Sequence, residues 1–274
     1  MRYQDYKEKV LNHLEEYKLN SLGCVKNGLY QNKEYGHILP SGFRPLNFLL
    51  GVNQPKDIHY HMHSHHLNSS QIMCINFFEP IMKDNLLIDI LKDTLKINIP
   101  DHTKIIFSKF EYGAPKGKDG TTFDFFIELI TGEKIYFEVK YTEQGFGKIS
   151  KSKETNKLPE KYEHKFTDVY MKQLGESMHL KELVNDKDKF YSSYQLYRNI
   201  SYIKGDKDYV VFLYPYDNEN LAQEMNEVKD LKNVYSLDWK ELSTKALEHT
   251  KNTHKYRVYK EYPFRLRTGC RRAP

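Results

Sequence analysis

The stretch that decides the fold is residues 123–140, FDFFIELITGEKIYFEVK, in which two largely apolar segments flank a turn at Gly132. In both segments the odd-numbered residues are apolar. Successive side chains of a strand point to opposite faces of a sheet, so this period of two predicts a β-hairpin with one buried face. Asp124, Glu138 and Lys140 then lie on the other face.

The register of this hairpin decides whether its two carboxylates meet. A two-residue turn at Thr131-Gly132 would place Asp124 and Glu138 on opposite faces. A three-residue loop of residues 130–132, with the glycine in the left-handed bulge position, would place Asp124 directly across from Glu138. Both turns are compatible with the sequence, and a joint role for the two carboxylates requires the second.

Carboxylates that face one another across a hairpin repel, so the second register predicts a divalent cation between them. Mg²⁺ is the expected occupant, with Mn²⁺ as a substitute, and the main-chain carbonyl of Val139 is a candidate further ligand. The ammonium of Lys140 is placed to orient a nucleophile or to offset negative charge on phosphorus. This arrangement is the one expected for metal-assisted hydrolysis of a phosphodiester.

The remaining periodicity predicts an α+β fold, an α/β sandwich, around the hairpin. Residues 21–58 are rich in Gly, Pro and Asn and predict loop with short pieces of structure. Helices are predicted at 2–20, 69–96 with a break near Glu79-Pro80, 166–184, 188–203, 219–230 and 239–249. Strands are predicted at 104–112, 122–130, 134–141, 209–214 and 233–237. The order is helix, three-stranded antiparallel meander, helix and strand, with added helices at both ends.

An aspartate, a short hairpin and Glu-x-Lys at a strand end resemble the PD-(D/E)xK nuclease superfamily, whose core has the same element order. Four further blocks resemble a bacterial family of restriction endonucleases within that superfamily: residues 66–71, residues 76–80, residues 137–143 with Phe146, and residues 194–199. The resemblance covers about residues 59–240. It implies a DNA endonuclease with metal ligands at Asp124 and Glu138 and a catalytic lysine at Lys140.

The chain departs from the superfamily pattern in two places. Phe123 stands where proline is usual, a substitution that the superfamily often shows. No acidic residue on the first core helix clearly completes the site, and Glu79 and Glu111 are candidates to supplement it.

Other candidate residues each carry a functional and a structural interpretation. Ser70 and Gln71 either face the cleft, as the resemblance implies, or serve a helix N-terminus together with Ser69. Glu143 is expected to orient Lys140 or bind backbone rather than to serve as a first metal ligand. Gln195 and Arg198 share one helical face and either contact phosphate and support Glu138 or pack and form a surface ion pair.

Two clusters of basic side chains are ambiguous. Five histidines lie within residues 59–66, where they could bind Zn²⁺ or Ni²⁺, but no second cluster closes a tetrahedral site and surface histidines are the favoured interpretation. Six lysines between 148 and 165 follow the Glu-x-Lys strand and predict either a flap over a DNA backbone or a solvated loop.

The formal charge of +5 rests on the C-terminal end of the chain. Residues 255–274 hold seven basic and one acidic side chain, which leaves the remainder of the chain at −1. Residues 251–274 are therefore either a basic arm for DNA or a segment foreign to the fold.

Composition bounds the class of protein. No apolar run reaches the roughly 18 to 20 residues that cross a bilayer, and the N-terminus lacks a signal-like segment, so we expect no membrane partner and a cytoplasmic location. Three widely spaced cysteines support neither a disulfide framework nor a thiolate zinc site. We divide the chain into an N-terminal extension (1–58), a nuclease domain (59–250) and a basic tail (251–274).

The sequence predicts a Mg²⁺-dependent endonuclease that cuts double-stranded DNA, preferably a type II-like restriction enzyme. A homodimer and a cognate methyltransferase are candidate partners. The alternatives are a repair or recombination nuclease and a catalytically silent DNA-binding module of the same fold.

Overall fold

A computed structural model describes residues 1–48, 57–97, 99–113 and 120–251 of the chain. A small sheet pairs β1 (Gly28–Tyr30) with β2 (Lys33–Tyr35). The larger sheet contains β3 (Ile105–Gly113), β4 (Thr122–Leu129), β5 (Lys134–Val139), β6 (Asp208–Tyr214) and β7 (Val234–Asp238). The helices are α1 (Tyr3–Asn20), α2 (Ser70–Lys83), α3 (Leu87–Leu95), α4 (Glu160–Lys165), α5 (Met171–Glu176), α6 (Lys187–Ser192), α7 (Tyr194–Ile200), α8 (Glu219–Asn226) and α9 (Trp239–His249).

The strands of the larger sheet lie side by side in chain order. β3, β4 and β5 form an antiparallel meander, and β6 and β7 then add in parallel. Parallel neighbours need a crossover, which α4 to α7 supply between β5 and β6 and α8 supplies between β6 and β7. The predicted α+β class, with its helix, meander, helix and strand, is confirmed.

Helices cover both faces of the larger sheet. Apolar side chains of α1, α2, α3 and α9 form one core with Phe125 and Phe137. Side chains of α5 to α8 form a second core with Phe126, Tyr136 and Val210 on the other face. Because burial without a polar partner is costly, charged side chains on such a sheet are stable only where polar groups meet them, as they do at the end of β5.

The helix break predicted near Glu79-Pro80 is wrong. The helix α2 continues through Pro80 to Lys83, and the chain turns at Asn85, whose φ is 56°. Asparagine tolerates this left-handed conformation just after a helix. Complete burial of Phe78 and Ile81 beside the proline offsets the loss of one helical hydrogen bond.

The helices predicted at 166–184 and 188–203 are each divided into shorter pieces. A π-helical turn at Phe166–Tyr170 precedes α5, a 3₁₀ turn at Lys181–Asn185 follows it, and α6 and α7 are separated at Ser193. The helical region also begins earlier than predicted, at Glu160. The spacing of apolar residues along the chain shows which side chains are buried. It does not show where the helix axis bends or breaks between those residues.

No helix among the described residues is both long and apolar enough to cross a membrane. The domain boundaries at 58/59 and 250/251 stay predictions. Residues 252–274, and with them almost all of the basic tail, lie outside the described residues.

Candidate active site

The hairpin between β4 and β5 has the three-residue loop and not the two-residue turn. Phe125 pairs with Phe137 and Glu128 with Lys134, and the Leu129 N–H donates to the carbonyl of Glu133 at 2.9 Å. Gly132 takes the left-handed φ of 92° that the bulge requires. One step further along this register, Asp124 lies across from Glu138.

Asp124 meets β5 through its side chain. The main-chain N–H of Val139 donates to Asp124 Oδ2 at 2.7 Å, in the position where a ladder bond would otherwise form. The N–H and C=O of a strand residue face the same neighbour, so the Val139 carbonyl is also directed toward β4. Alternation breaks here: Phe123 packs on Tyr136 in the second core, although its sequence position predicts the first.

The charge of Asp124 is poorly compensated. Burial and the negative charges of Glu138 and Glu111 raise the pKa of this carboxyl well above its ordinary range. The ammonium of Lys140 and the Val139 N–H act in the opposite direction but do not restore it. A carboxylate in this environment favours a nearby cation.

Glu138 and Lys140 form a buried ion pair at the end of β5. Lys140 Nζ lies 2.7 Å from Glu138 Oε1 and donates to Gln195 Oε1 at 2.9 Å. The side chains keep only 5% and 8% of their surface exposed. Burial lowers the pKa of the Lys140 ammonium, but Glu138, Glu143 and Asp124 outweigh burial and the pKa is raised. Lys140 is therefore firmly protonated.

Asn199 is a site residue that the sequence analysis missed. Its Nδ2 donates to Glu138 Oε2 at 2.7 Å, and the residue is fully buried on α7. Its position one helical turn after Gln195 was the available signal, because residues four apart share a helix face.

Glu111 approaches the site from β3, the first strand of the meander. The pairs Phe110 with Phe125 and Tyr112 with Phe123 flank it, so Glu111 stands across from Asp124. Its φ of 49° is unusual for a non-glycine strand residue and redirects its side chain. Burial raises the pKa of Glu111, while a hydrogen bond from Gln71 opposes this rise. Three carboxylates thus lie in a row on β3, β4 and β5.

Gln71 has a different role from helix capping. Its Nε2 donates to the His59 carbonyl at 3.2 Å and its Oε1 accepts from the His61 N–H at 3.0 Å. The N-cap of α2 is Ser69, whose Oγ accepts from the Ile72 N–H. Gln71 therefore links the backbone of His59 and His61 to α2, beside Glu111.

The other predicted residues are placed as follows. Ser70 is the first residue of α2. Glu79 forms an ion pair with Lys83 on the same helix. Glu143 Oε2 accepts from the Tyr141 N–H at 2.6 Å, which is the backbone-binding interpretation, and its charge also supports the ammonium of Lys140.

Arg198 lies beside the site on α7. Its guanidinium sits 5.0 Å from the centroid of the Tyr194 ring, and its Nε is buried with no hydrogen-bond partner among the described residues. Burial lowers the pKa of Arg198, but Tyr194 and Glu138 outweigh burial and the pKa is raised. Arg198 packs on an aromatic ring and feels the charge of Glu138 as well.

The histidines pack on one another as rings. His66 lies 4.8 Å from His63 and 4.6 Å from His65, measured between ring centroids. Burial, with its histidine neighbours, lowers the pKa of His66 to about 4. In the part of the chain that the structure describes, no group of three or more His, Cys, Asp or Glu side chains is arranged to hold a metal ion.

One family of known proteins matches this chain. The family model for a restriction endonuclease associating with ARP (REase-ARP) matches residues 11–265. The chain belongs to the REase-ARP family. No curated protein and no solved structure matches it significantly.

The family match extends beyond the region of resemblance in both directions. It includes most of α1 and continues into the C-terminal tail as far as residue 265. Within this REase-ARP chain, the N-terminal helix and the sheet share one core, since Tyr6 of α1 donates to the Tyr141 carbonyl at 2.9 Å. The alternatives of basic arm and foreign segment stay open for residues 266–274.

The donor set of this REase-ARP chain fits Mg²⁺. The candidate ligands are the carboxylate oxygens of Asp124 and Glu138 and the main-chain carbonyl of Val139, all of them hard oxygen donors. Mg²⁺ is usually held by one or two carboxylates together with substrate phosphates, so a complete protein cage is not required. Asp124 Oδ2 accepts from the Val139 N–H, and the negative charges of Glu138 and Glu111 act on the same carboxylate, an arrangement that favours a cation here.

Proposed function

We propose that this chain is a Mg²⁺-dependent endonuclease that hydrolyses phosphodiester bonds of double-stranded DNA, as a restriction enzyme. The observation that carries the proposal is the convergence of Asp124, Glu138 and Lys140 at one edge of the β4–β5 hairpin. Membership of a restriction endonuclease family supports the same chemistry.

In this mechanism Asp124, Glu138 and the Val139 carbonyl would hold the cation. When bound, Mg²⁺ supplies positive charge that polarises the phosphoryl oxygen and lowers the pKa of water. Lys140 acts as a fixed positive charge, since its raised pKa keeps it protonated. It orients the attacking water and stabilises negative charge that develops on the phosphoryl oxygens.

The proposed substrate is double-stranded DNA, and lysines supply the surface that would meet its backbone. Residues 150–157 are exposed, and this segment is anchored beside α6 and α7 through Ile149, whose N–H donates to the Tyr191 carbonyl at 3.0 Å. The description of the family adds an association with ARP. A second copy of the chain and a cognate methyltransferase are further proposed partners.

Cleavage of plasmid DNA tests the proposal. Wild-type protein should cut in Mg²⁺ or Mn²⁺ and not in EDTA. Asp124→Asn and Lys140→Ala should each lower the rate about 10²- to 10⁴-fold, because each removes a group that stabilises the transition state. Discrete fragments would indicate sequence-specific cutting, whereas a smear would favour a nonspecific repair or recombination nuclease.

The matched control is the exposed ion pair between Lys232 and Asp206, 2.7 Å apart on the surface. Asp206→Asn and Lys232→Ala make the same chemical changes away from the site and should cut as wild type does. Absence of cleavage by the wild type would favour a silent DNA-binding module. Full activity of both site variants would refute the assignment of the residues.

A further inference from the structure

Helix α7 presents two side-chain amides to the Glu-x-Lys segment of β5. Gln195 Oε1 accepts from Lys140 Nζ at 2.9 Å, and Asn199 Nδ2 donates to Glu138 Oε2 at 2.7 Å. Each charged member of the proposed catalytic pair therefore has its own neutral amide partner.

The spacing of the two elements makes this pairing possible. Four residues of an α-helix advance about 6 Å, and two residues of a strand advance about 6.6 Å. Gln195 and Asn199 therefore meet Lys140 and Glu138 in register, with the helix and the strand running in opposite directions. A substitution of one amide leaves the other contact in place, so the two can be tested separately.

The amide of Asn199 is only half satisfied. The residue is fully buried, and its Oδ1 has no hydrogen-bond partner among the described residues. An unsatisfied buried carbonyl is destabilising, a cost that an apolar residue of similar size would avoid. The compensating feature is the bond from Nδ2 to Glu138.

The neutrality of the two amides matters for the site. An arginine or lysine in place of Asn199 would add a second positive charge beside Glu138, whereas an amide N–H orients the carboxylate without adding charge. Gln195 likewise accepts from Lys140 without adding a negative charge. Gly147 helps to fix Gln195, because a Cβ at Gly147 would stand 3.1 Å from the Gln195 Cγ.

We propose that Asn199 and Gln195 are positioning residues for cation binding and for catalysis, respectively. Asn199 holds Glu138 Oε2, which leaves Oε1 as the oxygen that would bind a cation. Lys140 contacts Oε1 in this structure, and Gln195 is the acceptor that would keep its ammonium in the site if a cation took that oxygen. This inference rests on the proposed function, because it assigns the cation to Glu138.

Binding of Mn²⁺ to the full-length protein without DNA tests the role of Asn199. The free ion is followed by electron paramagnetic resonance. Asn199→Leu should weaken Mn²⁺ binding about 10- to 100-fold, the usual effect of removing a partner that orients a ligand. The matched control is Asn76→Leu, which removes another buried amide, one that donates to the Asn47 carbonyl at 2.8 Å, and should leave Mn²⁺ affinity unchanged.

The outcomes separate the inference from the proposed function. Wild type that binds Mn²⁺ with Asn199→Leu binding equally well would overturn the role of Asn199. Wild type that binds no Mn²⁺ would overturn the proposed cation and this inference with it. If Asn199→Leu fails to fold, Asn199→Ser removes the amide with a smaller change in volume, and the same two results decide.

Gln195 is tested by kinetics on duplex DNA. Gln195→Met keeps the length of the side chain but removes the acceptor, and it should lower kcat about tenfold or more with little change in KM. Gln195→Glu restores an acceptor for Lys140 and should recover part of the rate. Equal damage by both substitutions, or a change in KM alone, would overturn the positioning role of Gln195.

Discussion

At the scale of single residues, the site is an arrangement of unequal charges. Three carboxylates lie close together here, those of Asp124, Glu138 and Glu111. Lys140 forms an ion pair with one of them, Glu138. Lys140 contacts Glu138 and Gln195 and stays protonated, whereas the charge of Asp124 is poorly compensated. In the proposed mechanism this asymmetry gives the residues different tasks, because Asp124 would bind a further cation and Lys140 would supply a fixed positive charge.

The pH dependence of stability should reveal Asp124. Its raised pKa means that its contribution to stability is complete below the ordinary pKa of an aspartate and is lost as pH rises through the raised value. In EDTA, the Tm of the wild type should therefore fall more between about pH 5 and pH 8 than the Tm of Asp124→Asn. Thermal unfolding of both proteins measures this difference.

Metal addition gives the complementary result. Mn²⁺ should raise the Tm of the wild type, and more at the higher pH, because a ligand that binds only the folded state stabilises it. It should have little effect on Asp124→Asn. Parallel pH profiles of the two proteins in EDTA would contradict the electrostatic account of Asp124.

At the scale of elements, two local geometries assemble the site. The glycine bulge at Gly132 sets the register of β4 against β5, and this register places Asp124 at Glu138. The helix α7 then presents its amides to the end of β5. A slip of one residue in the hairpin would turn Asp124 to the opposite face of the sheet, away from Glu138 and from α7.

Replacement of Gly132 should weaken the hairpin. Its φ of 92° is unfavourable for any residue with a Cβ, so we expect Gly132→Ala to lower the free energy of unfolding by about 1 to 2 kcal/mol. Cleavage should fall with the fraction of protein that keeps the register. Denaturant unfolding measures the first effect and plasmid cleavage the second.

Gly175 provides the matched control for this substitution. It lies within α5, and a Cβ there would meet no heavy atom within 4 Å. Because alanine favours a helix more than glycine does, Gly175→Ala should leave stability equal or raise it by up to about 1 kcal/mol. Equal losses in both variants would show that the positive φ of Gly132 is not the cause.

At the scale of the whole molecule, the sandwich leaves the site at the end of β5, beside the loop that follows the strand. Both faces of the sheet are covered by helices, so the proposed DNA substrate would approach from this end. The exposed lysines of residues 148–157 lie on the side of α6 and α7, while α9 lies on the other face. The molecule is therefore asymmetric in the surface that it offers to a polyanion.

Salt dependence of DNA binding should identify that surface. Replacement of Lys148, Lys153 and Lys157 by alanine should reduce the slope of log affinity against log salt by about one for each lysine that contacts a phosphate. Alanine substitutions of Lys92, Lys240 and Lys245 remove the same charge on the opposite side and should leave the slope unchanged. Binding is measured in Ca²⁺ on a duplex at several salt concentrations, and equal slopes for both triple variants would contradict the assignment.

The sequence by itself determined the structural features that depend on residues close together in the chain. Period two gave the two strands of the hairpin, glycine at position 132 allowed the bulge, and the distance between Asp124 and Glu138 along the chain is only 14 residues. Short-range geometry of this kind has few solutions, so the fold class and the candidate trio could be predicted from the sequence, and the register of the hairpin was narrowed to two alternatives.

Only the tertiary structure decided which distant groups meet this trio. Gln195 reaches Lys140 across 55 residues and Asn199 reaches Glu138 across 61, and the path between them includes helices that bend where no periodicity marks the bend. Glu111 joins the row because β3 pairs with β4 and its backbone turns at that residue, which neither residue type nor spacing shows. The physical reason is that alternation and turn geometry act over a few residues, whereas these contacts depend on how whole helices and strands pack.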